Sequence, residues 1–190
     1  PVSTGRVRVQ HYPCEETFQP GIYQKTLLAL RDQLREPSPP DIFVRTNLST
    51  FVLPRRLRKH IEPYRHSSVP YYGGVYCHHD HWVGGYGIVF NRAAAERLVD
   101  EGFRPEWFHA KVADDVQIGR VMQHQGVLCD PKAPFLFYTW DTSHDTAYHL
   151  QRLREQSHVV FVRLKMEDGW EEGRYRDAVE ALIGFERESK

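Results

Sequence analysis

Asp114 and Asp115 are adjacent carboxylates at the head of a segment whose apolar positions, Val116, Ile118, Val121 and Met122, recur at helical spacing. Such a pair can do acid–base chemistry, because one carboxylate accepts a proton from a hydroxyl while its neighbour raises its pKa. The same pair at a helix N-terminus serves equally as cap and dipole partner. A second cluster, Cys77-His78-His79-Asp80-His81, holds residue types that bind transition metals. On an extended chain adjacent side chains point to opposite faces, so only alternate members, His79 with His81 or His78 with Asp80, can share an ion. The bland reading of that stretch is a polar loop. Arg163-Leu164-Lys165 follows a strand-like run and offers two cations to a phosphate, although flanking Lys and Arg are most often surface charge. Arg45-Thr46-Asn47-Leu48-Ser49 forms a polar patch between apolar segments, and polar residues at a strand's end invite a ligand.

These residues need elements to position them. Gly84, Gly85 and Gly87 open the apolar run Ile88-Val89-Phe90, where a missing Cβ lets a ligand approach the backbone. Asn91 then precedes good helix formers that Gly102 closes, which predicts strand, cap, helix and stop. Residues 21–35 carry leucines at helical spacing until Pro37, Pro39 and Pro40 break the pattern. Strands are expected over 5–12, 41–44, 71–76, 126–129, 134–138 and 158–162, and helices over 144–156 and 174–185. The basic stretch 54–60 reads as a solvated helix face. Strands alternating with helices mean α/β, a mixed, mostly parallel sheet flanked by helices. No internal repeat or low-complexity segment interrupts the pattern.

With 190 residues, 41% hydrophobic and 26% charged, the chain fits one domain with a real core. Twenty-five basic against 25 acidic residues announce no polyanion-binding surface, which disfavours nonspecific nucleic-acid binding. Three scattered cysteines without a CxxC spacing build neither a disulfide framework nor a structural zinc site. No long apolar run indicates a membrane span, and no signal-like segment is present. The expectation is a soluble domain, cytoplasmic rather than exported, that begins at Pro1 as a processed piece would.

Four blocks in one order carry a resemblance: DIFVRTNLSTFV, GGYGIVFNRAAAERL, ADDVQIGRVMQHQGV, and HVVFVRLK followed by Arg174, Arg176 and Asp177. Together, over roughly residues 22–185, they resemble the C-terminal two thirds of a glycosyltransferase with the A-type nucleotide-sugar fold. The similarity is to the inverting β-1,3-galactosyltransferase and Fringe-like group and its bacterial or viral relatives. That resemblance implies a nucleotide-diphosphate sugar donor and a glycan or glycoconjugate acceptor. It also implies Mn2+ or Mg2+ on an Asp-x-Asp motif, with a late histidine, His158 here, near the diphosphate. Two departures stand out. This chain has Asn47-Leu48-Ser49 at the metal motif, and an amide and a hydroxyl do not replace two carboxylates. About two dozen residues precede the first helix, fewer than the ~30 of a βαβ unit, so the nucleotide-binding half is expected to be shortened or absent.

The resulting expectation is hexose transfer to an acceptor hydroxyl with inversion at the anomeric carbon. Asp115 is the expected base and Asp114 orients the acceptor or tunes its neighbour, with the order within the pair open. Gly84, Gly85 and Tyr86 would floor the sugar site. Arg45, Thr46, Asn47 and Ser49 would touch ribose or diphosphate, and Arg163 and Lys165 would neutralise the leaving phosphates. Two rivals stand beside this. One is a catalytically silent sugar- or nucleotide-binding module, and the other is a metal-dependent hydrolase or phosphotransferase using His78, His79, Asp80, Asp114 and Asp115.

Overall fold

The computed structural model of the chain describes residues 10–188 apart from 16, 18, 19, 78–81, 109–111, 131–136 and 165–171. Among the described residues the order is α1 (Gly21–Leu34), β1 (Ile42–Arg45), β2 (Thr50–Val52), α2 (Pro54–Ile61), β3 (Tyr72–Cys77), β4 (Trp82–Asn91), α3 (Arg92–Gly102), α4 (Asp114–His124), β5 (Phe137–Trp140), α5 (Thr146–Glu155), β6 (Phe161–Leu164) and α6 (Glu172–Glu188). The α/β class is as expected, but the strands form two three-stranded sheets, β1-β4-β3 and β2-β6-β5.

The mostly parallel sheet is corrected: of four strand pairings, only β5 with β6 is parallel. The reason is connection length. Four residues separate β3 from β4, enough for an antiparallel hairpin, whereas a parallel pair needs a crossover of about a dozen residues or more. Between β5 and β6 such a crossover exists, and α5 fills it. The 126–129 stretch is not a strand. α4 ends in a Schellman arrangement, with Gly126 at φ 69, its N–H on Gln123 O and the Val127 N–H on Met122 O. Beyond it one backbone bond, Asp130 N–H to Tyr72 O, reaches β3, too little for a ladder. Of the expected strand at 5–12, residues 5–9 lie outside the described residues and 10–12 are not extended ladder.

The first sheet carries α1, α3 and α4 on one face, and their apolar stripes meet it at Tyr23, Leu27, Leu98, Ile118 and Met122 around Phe43, Ile88 and Phe90. Leu27, Leu98, Ile118 and Met122 are fully buried, each stabilising the packing by about 1.5–3 kcal/mol. The second sheet packs on α5 and α6 through Leu53, Trp140, Leu153, Leu164 and Leu182. Tyr71, Val75, Val89, Val160 and Phe161 join the two sheets. Gly87 belongs to that seam, since a Cβ there would stand 2.8 Å from the Phe161 ring.

Asn91 ends β4 and caps α3, and it is fully buried. Its Oδ1 accepts from the N–H groups of Tyr71 and Ala94, and its Nδ2 donates to the carbonyls of Tyr64, Ser67 and Val69. α2 exposes most of its basic residues, but Arg56 turns inward, donating to the carbonyls of Leu153 and Gln156 at the end of α5. No helix among the described residues is long and apolar enough to cross a membrane. Cys14 and Cys129 are free thiols.

Candidate functional site

α4 begins at Asp114, and its first turn is aimed at the ends of β1 and the middle of β4. Arg45, the last residue of β1, places Nη2 2.5 Å from Asp114 Oδ2, both side chains being largely buried. Asp115 Oδ2 accepts from the Gly85 N–H at 2.9 Å, and its Oδ1 accepts from the Val116 N–H at 2.8 Å. Gly85 is required by this approach. A Cβ there would collide with Arg45 Nη1 and lie 3.3 Å from Asp115 Oδ2.

Asp114 and Asp115 therefore differ. Burial raises the Asp114 carboxyl above the usual carboxylate range, with the Arg45 guanidinium opposing and the Asp115 charge reinforcing that shift. Asp114 is 6% exposed and committed to Arg45, whereas Asp115 is half-buried and, among the described residues, accepts from the backbone N–H groups of Gly85 and Val116. A guanidinium already beside Asp114 also opposes a divalent cation there, which weakens the reading as a metal-dependent hydrolase or phosphotransferase. His78, His79 and Asp80, the other residues of that reading, lie outside the described residues.

Arg45 has a second contact surface. It lines a cavity of about 1020 Å³ between α1 and β1, together with Lys25, Thr46, Asn47, Ser49 and Tyr175. Four of the expected substrate-binding residues thus border one space. Asn47 and Leu48 form an exposed turn, Leu48 fully so, and the Leu48 carbonyl accepts from the Tyr175 hydroxyl at 3.0 Å. This turn leads into β2, a strand that sequence patterning missed because Thr50–Val52 is three residues long and half-buried throughout.

The glycine floor is divided. Gly85 faces Arg45 and Asp115, but Gly84 lies under the Tyr86 ring on the other side of β4, as the two-residue period of a strand dictates. Arg163 belongs to the Tyr86 side, with its guanidinium 5.1 Å from the ring centroid. Arg163 is paired in register with Thr50 of β2. Among the described residues, three buried polar atoms on the two sides of β4 have no hydrogen-bond partner: Arg45 Nη1 on one, and Thr50 Oγ1 and Arg163 Nε, paired in register in the second sheet, on the other. Buried polar groups are usually satisfied, and an orphan such as Arg45 Nη1, on a side chain that lines the cavity, marks a place for a polar ligand. Gln117, 2% exposed with both amide atoms unpartnered, adds a fourth such residue on α4. Neither Thr50 nor Gln117 stood out in the sequence, because an isolated Thr or Gln has no spacing signature.

The remaining expected residues fall elsewhere. His158 is exposed and precedes β6, at the opposite end of that strand from Arg163, so it does not join the site. Lys165 lies outside the described residues. No protein-family model matches the chain, and no curated protein is significantly similar to it.

Proposed function

We propose that the chain is an inverting hexosyltransferase that uses a nucleotide-diphosphate sugar, with Asp115 as the base that deprotonates the acceptor hydroxyl. The observation that carries this reading is the shared position of Arg45. One side chain borders a cavity of about 1020 Å³ and reaches Asp114 of the carboxylate pair at α4, which supports a donor space linked through Arg45 to a candidate base. Within the pair, Asp114 is neutralised by Arg45 and positions it, leaving Asp115 as the carboxylate able to meet a hydroxyl. The α4 N-terminus and the Gly85 N–H hold Asp115 in one orientation, so no reorganisation is needed when the proton moves. The donor diphosphate would lie along Arg45, Thr46, Asn47 and Ser49, with Lys25 adding charge from α1. Mn2+ or Mg2+ is not required by this arrangement, because Asn47 and Ser49 supply no carboxylate.

A second reading has its own observation. Both Asp115 oxygens already accept backbone hydrogen bonds, as they would in a purely structural helix anchor, which favours a silent sugar- or nucleotide-binding module. One experiment separates the two. Nucleotide sugars are screened by thermal shift, and any that bind are tested for transfer with the native chain and with Asp115→Asn. For the transferase, transfer drops by about 10²–10⁴ with donor affinity nearly unchanged. For the module, ligands raise the melting temperature and neither protein turns over. No shift with any nucleotide sugar, at concentrations giving about 2.7 kcal/mol at 100 Kd, would end both readings.

A further inference from the structure

We propose a binding site for a divalent transition metal, of the Zn2+ class, formed by Asp141, His144 and His149 where β5 meets α5. It is independent of the transferase reading, since it sits at the end of β5, two strands and about 10 Å across the sheet from Thr50 of β2. Each of the three residues offers one ligand atom, and these atoms all lie within 4.8 Å of one another. A tetrahedral ion with bonds of about 2.0–2.2 Å spaces its ligands about 3.3–3.6 Å apart. His144 Nδ1 and Asp141 Oδ1 already stand 3.6 Å apart. The remaining closure requires small swings of Asp141 and His144, whose side chains are 40% and 46% exposed, with the His144 ring sliding over the Tyr148 ring it stacks on.

The third ligand is fixed in advance. His149 is 1% exposed, and its ring is stacked on Trp140 at 4.6 Å between centroids. Nδ1 lies 2.7 Å from the Tyr138 hydroxyl, and Nε2 lies 3.1 Å from the Asp141 carbonyl oxygen. A carbonyl only accepts, so without metal Nε2 carries the proton and the Tyr138 hydroxyl donates to Nδ1. Ligation reverses this. Nε2 gives up its hydrogen bond and binds the ion through its lone pair, while the ring proton moves to Nδ1 and is donated to Tyr138 Oη. A metal-bound histidine commonly has such an outer partner, which sets tautomer and ring angle. Ser143 plays the matching part for the carboxylate, its N–H and hydroxyl both bonding Asp141 Oδ1.

Two imidazoles and one carboxylate suit a borderline ion such as Zn2+ better than Mg2+ or Ca2+, which prefer oxygen alone. Three protein ligands leave a fourth position to water or an anionic oxygen. The adjoining cavity, about 370 Å³, is lined by Thr142, His144, Arg174 and Asp177 among others, so a cation from α6 stands ready for such an anion. The spacing Asp-x2-His-x4-His across a strand end and a first helical turn is the sequence trace of this arrangement.

The test is Co2+ titration of the purified chain, followed by visible absorption, with Zn2+ competition. One equivalent with the intense bands of a four-coordinate ion is expected. His144→Ala and Asp141→Asn, both at exposed positions, should each weaken binding by more than the ~10–100-fold that loss of an outer partner costs. His79→Ala with His81→Ala should leave binding unchanged. In 15N spectra, saturating Zn2+ should convert His149 from the Nε2–H to the Nδ1–H tautomer, a readout needing no His149 variant. Three results overturn the proposal: Co2+ affinity equal in native and His144→Ala protein, binding lost instead with His79 and His81, or a His149 tautomer unmoved at saturating Zn2+.

Discussion

The α4 anchor and the turn over residues 46–50 lie next to each other and are built on opposite principles. At the anchor, the two Asp114–Arg45 and Asp115–Gly85 contacts tie a helix start to two strands of the first sheet. At the turn, Leu48 is fully exposed, Asn47 is exposed, and Thr50 Oγ1 has no partner among the described residues. The anchor's polar groups are mostly consumed by the protein itself, while the turn exposes Asn47 and Leu48 and buries one hydroxyl that no described residue satisfies. A rigid carboxylate pair beside an unsatisfied polar rim is a division between positioning and binding, and Arg45 takes part in both, with Nη2 on Asp114 and Nη1 unpaired.

Breaking the anchor should have the largest effect on stability. Asp114→Ala leaves the Arg45 guanidinium largely buried and uncompensated, and equilibrium denaturation should show a loss of about 3–5 kcal/mol. The paired replacement Asp114→Leu with Arg45→Met should recover most of it, because an apolar pair of similar volume removes both desolvated charges. If the single variant costs less than about 1 kcal/mol, the anchor is solvated and the contrast with the turn disappears.

Gly85→Ala attacks the anchor by volume. The new methyl must push Arg45 from its place against Asp114, so a cost of about 1–3 kcal/mol is expected, together with a crosspeak shift at the Gln117 and Val116 amides in NMR spectra. Gly84→Ala is the control on the opposite face of β4, where the nearest atoms are those of the Tyr86 side chain at 3.0–3.2 Å.

The turn side should respond the other way. Thr50→Val removes a buried hydroxyl that has no partner, so thermal stability should stay level or rise by up to about 1 kcal/mol. The same change should weaken binding of whichever nucleotide sugar shifts the native melting temperature. Stability gained with affinity lost is the mark of a site kept unsatisfied for a ligand. Unchanged affinity would make the orphan hydroxyl a mere packing defect.

The smallest effect is a pH dependence remote from both regions. Burial lowers the His60 pKa below 6.5, with Asp130 opposing, and its Nε2 lies 2.7 Å from the Tyr71 hydroxyl next to Tyr64. The folded state thus binds the proton less readily than the unfolded chain. Stability is complete above about pH 6.5 and declines as pH falls through that value toward the lowered one. His60→Gln should reduce the slope of melting temperature against pH below 6.5, and an identical slope in both proteins would remove His60 as its source.

Much of this was legible in the residues. Helices α1, α3 and α4 were readable to within about two residues because their apolar stripes and caps are local signals. Sheet pairing was less so. The alternating pattern located β3 and β4, but the direction of pairing depends on how many residues lie between strands, and the residue types of the four between Cys77 and Trp82, which read as a polar loop or a metal site, say nothing of the pairing that so short a link allows. The proximity of Asp115 to the glycine block could be expected from their order in a resembled family. The division of Gly84 from Gly85 follows only from which face each residue of β4 presents. Asp141, His144 and His149 escaped notice because their segment reads as an ordinary loop and helix, and only folding brings Tyr138 and Trp140 against the histidine.

Asn91 has a consequence for the order in which the chain assembles. Its amide is the shared partner of three carbonyls 22–27 residues earlier, and its carbonyl oxygen joins the starts of β3 and α3. The backbone bonds within the 64–70 bend are short-range and its side chains reach outward, to Asp41 and Asp130, so the closing of its three carbonyls on one point waits on a residue supplied by the β4–α3 junction. Closing that loop costs entropy before any of the five bonds is made, and the bonds then form nearly together. The bend, the start of β3 and the first turn of α3 therefore constitute one cooperative unit. During refolding the amides of Tyr71 and Ala94 gain protection from solvent exchange in the same phase, though 23 residues of chain separate them.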